Sequence, residues 1–139
     1  MNIILCLSKN KGFTFFNQRQ SFDRNMIFDM IMHVNNRKLY ISNYTKKLFD
    51  NLEINLENIF VLDKHNKEQI GEDDFIFIEK KEELIFFENA PKEIVVYNWN
   101  REYPTDYYFE FDFSDYLKIK EECIVGNSHE EITKIVYKK

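Results

Sequence analysis

Arg19, Gln20, Asp23 and Arg24 bring a carboxylate, an amide and two guanidiniums into one short stretch. A carboxylate at the start of a helix, flanked by guanidiniums, could grip a planar amidine-like or phosphorylated ligand through charge-assisted hydrogen bonds. The same residues have a plainer use. An Asp in a first helical turn complements the helix dipole, and neighbouring arginines would give it surface ion pairs worth about 0–1 kcal/mol. The weakness of exposed pairs favours the plainer use.

A second group, Tyr97, Trp99, Asn100, Arg101, Tyr103 and Pro104, runs off the end of an apolar segment. Trp, Arg and Tyr at a strand end can stack on and hydrogen-bond a ring. The same set is the composition of a protein-interface hot spot, and in a chain this aromatic it also serves to fill a core. Interface and core together outweigh small-molecule stacking on composition alone. Ser128-His129 with Glu130 and Glu131 lacks the Gly-x-Ser-x-Gly elbow of a nucleophile and reads as an exposed turn. Cys6 sits in an apolar run far from Cys123, so both read as reduced packing residues. His33, His65 and His129 are too scattered for a zinc site. No catalytic residue, metal ligand or cofactor is assigned.

Bulk properties narrow the partners. The net charge of −5 opposes the positive field that nucleic acid or anionic lipid requires. Lys46, Lys47, Lys134, Lys138 and Lys139 are only scattered positives. No run approaches the roughly 20 apolar residues of a membrane span, and the N-terminal residues lack the features of a signal peptide. A cytoplasmic protein whose partner is a small ligand or another protein is the expectation; oligomeric state is left open.

The elements that must position these groups follow from apolar periodicity. The chain of 139 residues is 44% hydrophobic and 17% aromatic, with three Gly and two Pro, enough apolar material for one domain built from regular elements. Asn2 to Leu7 reads as a buried central strand and the residues up to Gln20 as a loop. Ser21 can cap a helix carrying Phe22, Met26, Ile27, Met30, Ile31 and Val34 at helical spacing. Lys38 to Ser42 reads as a strand, Asn43 caps a second helix, and Asn58 to Asp63 and Phe75 to Glu79 are further strands. Lys80 to Ala90 fits a helical turn or a strand equally. Ile94 to Trp99 is apolar on both faces and should be central. Tyr107 to Phe113 and Tyr116 to Cys123 alternate like strands with one buried face, and Glu130 to Lys138 reads as a closing strand. The whole is α/β (α+β): a single domain, residues 1–139, with a mixed, mostly parallel sheet, helices on its faces and a C-terminal antiparallel hairpin.

This order of elements, with several local strings, resembles a shortened dihydrofolate reductase. MNIILCLSKNKGF is similar to that family's first strand and following loop, and KLYISNYTKKLF to its second strand and helix. IVVYNWNREYPTDYYFEFDF, KIKEE and NSHEEITKIVYKK resemble its last three strands. The resemblance implies the same fold, with Asp23 about where the family places its substrate-binding carboxylate. It does not imply the activity, because the family's nicotinamide phosphate site needs paired glycines ahead of a helix. Gly12, Gly71 and Gly126 are far apart.

The chain also resembles a group of short bacterial proteins that share strings matching Phe16 to Arg24, Tyr97 to Pro104 and Ser128 to Thr133, often labelled ribonuclease Z. That enzyme's zinc ions need an HxHxDH cluster, which this sequence lacks. The function expected is therefore that of a non-redox binding domain, using the surface between residues 17–24 and 97–104. The alternatives are an enzyme acting on a small planar metabolite through Asp23 and Arg101, and RNA processing.

Overall fold

Asn2 to Leu7 is apolar without alternation because both of its faces are covered: Ile3, Ile4 and Leu5 are all fully buried. The computed structural model describes residues 1–139. In chain order its strands are β1 (Asn2–Leu7), β2 (Gly12–Phe15), β3 (Gln18–Arg19), β4 (Leu39–Ile41), β5 (Ile59–Val61), β6 (Phe75–Phe77), β7 (Glu93–Asn98), β8 (Tyr107–Tyr108), β9 (Leu117–Ile124) and β10 (Ile132–Lys138). The α-helices are α1 (Arg24–Val34) and α2 (Asn43–Asn51), and short 3₁₀ segments span Lys9–Lys11, Lys67–Gln69 and Lys81–Asn89. The last of these resolves the ambiguity of Lys80 to Ala90 in favour of helical turns.

Seven strands form the main sheet in the order β5-β4-β6-β1-β7-β10-β9. β1 is parallel to β6 and β7, and β4 is parallel to β5 and β6. β10 runs antiparallel to both β7 and β9, closing the sheet with the expected hairpin. The sheet is mixed and mostly parallel.

Handedness decides which side each connection covers. The steps β1 to β4 and β4 to β5 move in the same direction across the sheet, so right-handed crossovers place α1 and α2 on one face. Met26, Ile27, Met30 and Val34 of α1 and Leu48 and Phe49 of α2 accordingly join one cluster with Ile4, Phe77, Tyr97 and Trp99. The step β6 to β7 moves the other way, and its 3₁₀ segment covers the opposite face, where Phe86 packs with Ile3, Leu5 and Ile94. Both α-helices thus share a face.

Three expectations need correction. The stretch before Gln20 is not a loop: β2 pairs with β3 on one side and with β8 on the other in a second small sheet. Tyr107 to Phe113 forms a ladder only at Tyr107–Tyr108. Its alternation reflects a ring cluster instead. Phe111 lies 4.9 Å from both Phe87 and Phe113, and Phe113 stacks at 4.2 Å on Tyr137 of β10. Lys134 is not a surface positive; it is buried against Asp29 at 2.8 Å.

The long free edge of the sheet is β9. Lys118 and Lys120 lie along it, and a register shift interrupts its pairing with β10, two devices that discourage further strands from adding.

Candidate functional site

In open α/β sheets ligands enter outside the carboxyl ends of the strands, where successive crossovers leave in opposite directions. Here that point lies past the ends of β1, β6 and β7. The β2–β3 hairpin folds over it. Its two-residue turn, Phe16-Asn17, has φ of 50° and 53°, the left-handed pair of a type I′ turn. The hairpin delivers Arg19, Gln20 and Ser21 onto the strand ends.

Arg19 meets Glu79, two residues past β6. Nε and Nη2 of the guanidinium donate to Oε2 and Oε1 of Glu79 at 2.8 and 2.7 Å, a bidentate pair. Thr45 Oγ1 donates to Glu79 Oε1 at 2.6 Å. The guanidinium also lies 4.2 Å over the Tyr44 ring, and the Tyr44 hydroxyl accepts the Arg19 backbone N–H at 3.0 Å. With Glu79 only 7% exposed, this carboxylate depends on Arg19 and Thr45 to replace its lost hydration.

Gln20 is only half satisfied. Its Nε2 donates to the carbonyl oxygen of Pro104 at 3.1 Å and to Thr105, which ties the hairpin to the 97–104 segment. A carbonyl can only accept, so this contact fixes which end of the amide is nitrogen. Gln20 Oε1 is buried with no hydrogen-bond partner. Gln20 shares with Cys6, Ser21, Glu79 and Trp99 the wall of a hollow of about 10 Å³, room for a single water.

Asp23 is elsewhere and differently employed. Its carboxylate is fully buried and caps α1 by accepting the Met26 N–H at 3.1 Å, so the cap is Asp23 and not Ser21. It also accepts the backbone N–H groups of Asn127, Ser128 and His129 at 2.9 to 3.1 Å. Burial pushes its pKa up, but these backbone donors, with His129, outweigh that and hold it well below the usual carboxylate range. Neither arginine pairs with it: Arg19 is held by Glu79, and Arg24 is exposed. An anchor or proton donor needs a free face, and Asp23 has none.

His129 closes this cluster and is not an exposed turn residue, being 3% exposed. Its Nδ1 lies 3.1 Å from Asp23 Oδ2, and its ring stacks on Trp99 at 4.6 Å. An ionised carboxylate only accepts, so Nδ1 carries the proton. Nε2, left with one lone pair, then faces the hydroxyls of Tyr103 at 2.8 Å and Ser21 at 3.2 Å and accepts from the nearer. Hydroxyl, imidazole and carboxylate stand in the order of a hydrolase triad, but Tyr103 is the nearer partner and the adjoining hollow holds no more than a water. The arrangement ties the 126–129 loop to the start of α1.

Of the second predicted group, Tyr97 and Trp99 are core residues, 0% and 1% exposed. The Tyr97 hydroxyl donates to Asp29 at 2.6 Å. Arg101 is exposed, and Tyr103 is half-buried against His129. The core use of Trp99 therefore prevails over an exposed hot spot. His33, His65 and His129 stay apart, and no group of three metal-ligating side chains forms. Glu79, Thr45, Tyr44 and His129 went unpredicted as partners. The one available hint was an acidic residue closing the apolar run Phe75 to Ile78.

No family model and no curated protein matches this chain. Among solved structures it is similar to dihydrofolate reductase from Enterococcus faecalis, determined as a complex with NADP(H) and RAB-propyl. The TM-score is 0.70 at 12% sequence identity, covering 99% of this chain and 94% of that one. At that identity the likeness establishes a dihydrofolate-reductase-like fold.

Proposed function

We propose that this chain is a non-redox binding domain for a small ligand, seated where residues 19–21 meet Trp99 at the carboxyl ends of β1 and β6. The observation that carries the reading is Gln20 Oε1: a buried carbonyl oxygen without a partner, on a residue that lines a hollow at the position where this class of sheet receives ligands. Such an oxygen favours a ligand with an N–H or O–H donor. Arg19 and Glu79 supply a further donor and acceptor if the ligand separates them. Entry requires the β2–β3 hairpin to lift, since the closed hollow is water-sized.

Trp99 is the only tryptophan and lines the hollow, so its fluorescence reports occupancy. Titration with acetamide, and with uracil as a ring-sized probe, should change its emission saturably. Gln20→Met keeps the volume and removes the carbonyl, so the response should be lost. Absence of any saturable change, or an unchanged response in Gln20→Met, would reject this site.

A further inference from the structure

Glu83 is 8% exposed, and its two carboxylate oxygens have unequal lives. Oε1 accepts the backbone N–H groups of Glu79 and Lys80 at 2.8 and 2.7 Å, capping the Lys81–Asn89 segment. Oε2 is buried without a hydrogen-bond partner. An orphaned carboxylate oxygen costs more than an orphaned amide, because the charge is concentrated on it. Burial raises the pKa of Glu83, and the charges of Glu79 and Glu82 add to that, against the two backbone donors. Nothing within the chain supplies the missing donor.

Glu83 lines a groove of about 470 Å³, separate from the Trp99 hollow, beyond the carboxyl ends of β4 and β5. That volume is within the range of small-ligand sites. Its apolar wall is Leu62, Ile85 and Phe86, and Ile85 is 54% exposed. Lys64 and Lys67 stand at the same groove, are exposed, and take part in none of the chain's ion pairs. The carboxylate of Asp63 beside them accepts the N–H groups of His65 and Asn66 through Oδ1, both at 2.7 Å, and forms no ion pair with either lysine. The groove therefore joins a residue whose buried carboxylate oxygen has no partner, an apolar wall, and two lysines outside any ion pair. Asp63 and Glu82 are carboxylates in the same lining, and Lys67 lies 5.8 Å over the Phe86 ring.

We propose that this groove binds a small molecule with a cationic amidine or guanidine head directed at Glu83 Oε2, a flat apolar body against Ile85 and Phe86, and an anionic group reaching Lys64 and Lys67. An amidine supplies in-plane N–H donors to a carboxylate oxygen, and a ring between the two charged ends covers the exposed isoleucine.

The probe is 4-amidinobenzoate, with benzamidine as the control lacking the anion, measured by calorimetry on the full chain. The wild type should bind 4-amidinobenzoate, and benzamidine several-fold more weakly. Glu83→Gln keeps an oxygen for the Glu79 and Lys80 N–H groups and presents an NH₂ where Oε2 stood. It should melt no lower than the wild type yet bind at least about tenfold more weakly. Lys64→Ala with Lys67→Ala should bring 4-amidinobenzoate down to the affinity of benzamidine. Failure of the wild type to bind at millimolar concentration, or equal binding by Glu83→Gln, would overturn the proposal. Equal binding of the two probes would remove the lysines from it. Trp99 does not line this groove, so the result is independent of the fluorescence test of the first site.

Discussion

Asp23 and His129, 106 residues apart, share a hydrogen bond of 3.1 Å between Oδ2 and Nδ1, and neither is more than 3% exposed. The carboxylate joins the first turn of α1 to the loop that precedes β10. Gly126 lets that loop come close, because a Cβ there would sit 2.3 Å from the His129 carbonyl oxygen and 2.7 Å from Asp23 Oδ2. Asp23→Asn keeps the shape but removes the charge that gathers these donors. Unfolding in urea should show a loss of about 3 kcal/mol, the usual cost of breaking a buried charged network. A ligand-facing Asp23 would instead give a change near zero.

Acid should dismantle the same structure. Burial raises the pKa of Asp23 and of Glu93, but hydrogen bonds outweigh it in both, from backbone N–H groups for Asp23 and from His33 at 2.6 Å for Glu93. Both folded-state values therefore lie below the ordinary 3.8 and 4.5. The unfolded chain binds more protons in that window, so stability is full above about pH 5 and falls as pH drops through the depressed values. Thermal melts between pH 6 and pH 3 should show a monotonic decline, smaller in Asp23→Asn. A flat profile would mean that these carboxylates are not held as described.

How much of this was legible depended on distance along the chain. The spacing of Met26, Ile27, Met30 and Val34 revealed α1 because a helix writes its buried face within eleven residues. The unalternating Ile94 to Trp99 revealed a strand covered on both sides, whereas the alternation of Tyr116 to Cys123 marked β9 as a strand but not its burial, because Leu117, Ile119 and Cys123 lie exposed along the sheet edge. Tyr107 to Phe113 alternated too, but a row of rings on one side needs only an extended chain, whereas a strand also needs a partner edge. The site was mostly hidden. Arg19 and Glu79 are 60 residues apart and Ser21 and His129 are 108 apart, joined only when β1, β6 and β10 come side by side. Asp23 was correctly placed at the start of a helix, but local sequence gave no sign of the loop that seals it.

The Arg19–Glu79 pair yields a double-mutant test. Arg19→Met alone leaves Glu79 buried with only Thr45 as donor and should cost about 3–5 kcal/mol. Glu79→Leu alone strands a guanidinium that is 21% exposed and can still reach water, so it should cost less. The double variant replaces an ion pair by apolar side chains of similar size and should recover most of the stability lost in Arg19→Met. Strictly additive losses would show that the two side chains do not act on each other.

The two cysteines should differ in reactivity, and the difference reports on the hairpin. Cys123 is exposed on the edge strand β9, whereas Cys6 lies on β1 in the wall of the hollow beneath Gln20. Burial, and then the charge of Glu79, pushes the Cys6 thiol well above its ordinary pKa, with Arg19 pulling weakly the other way. Since the thiolate is the reactive form, a disulfide reagent at neutral pH should modify one of the two thiols rapidly. Cys6, half-buried in that wall, should react more slowly, at a rate that rises as the hairpin opens. Gln20→Ala cuts the tie to Pro104 and Thr105, so Cys6 should then react several-fold faster while Cys123 is unchanged. An unaltered Cys6 rate would mean that the hollow opens by some route other than lifting β2 and β3.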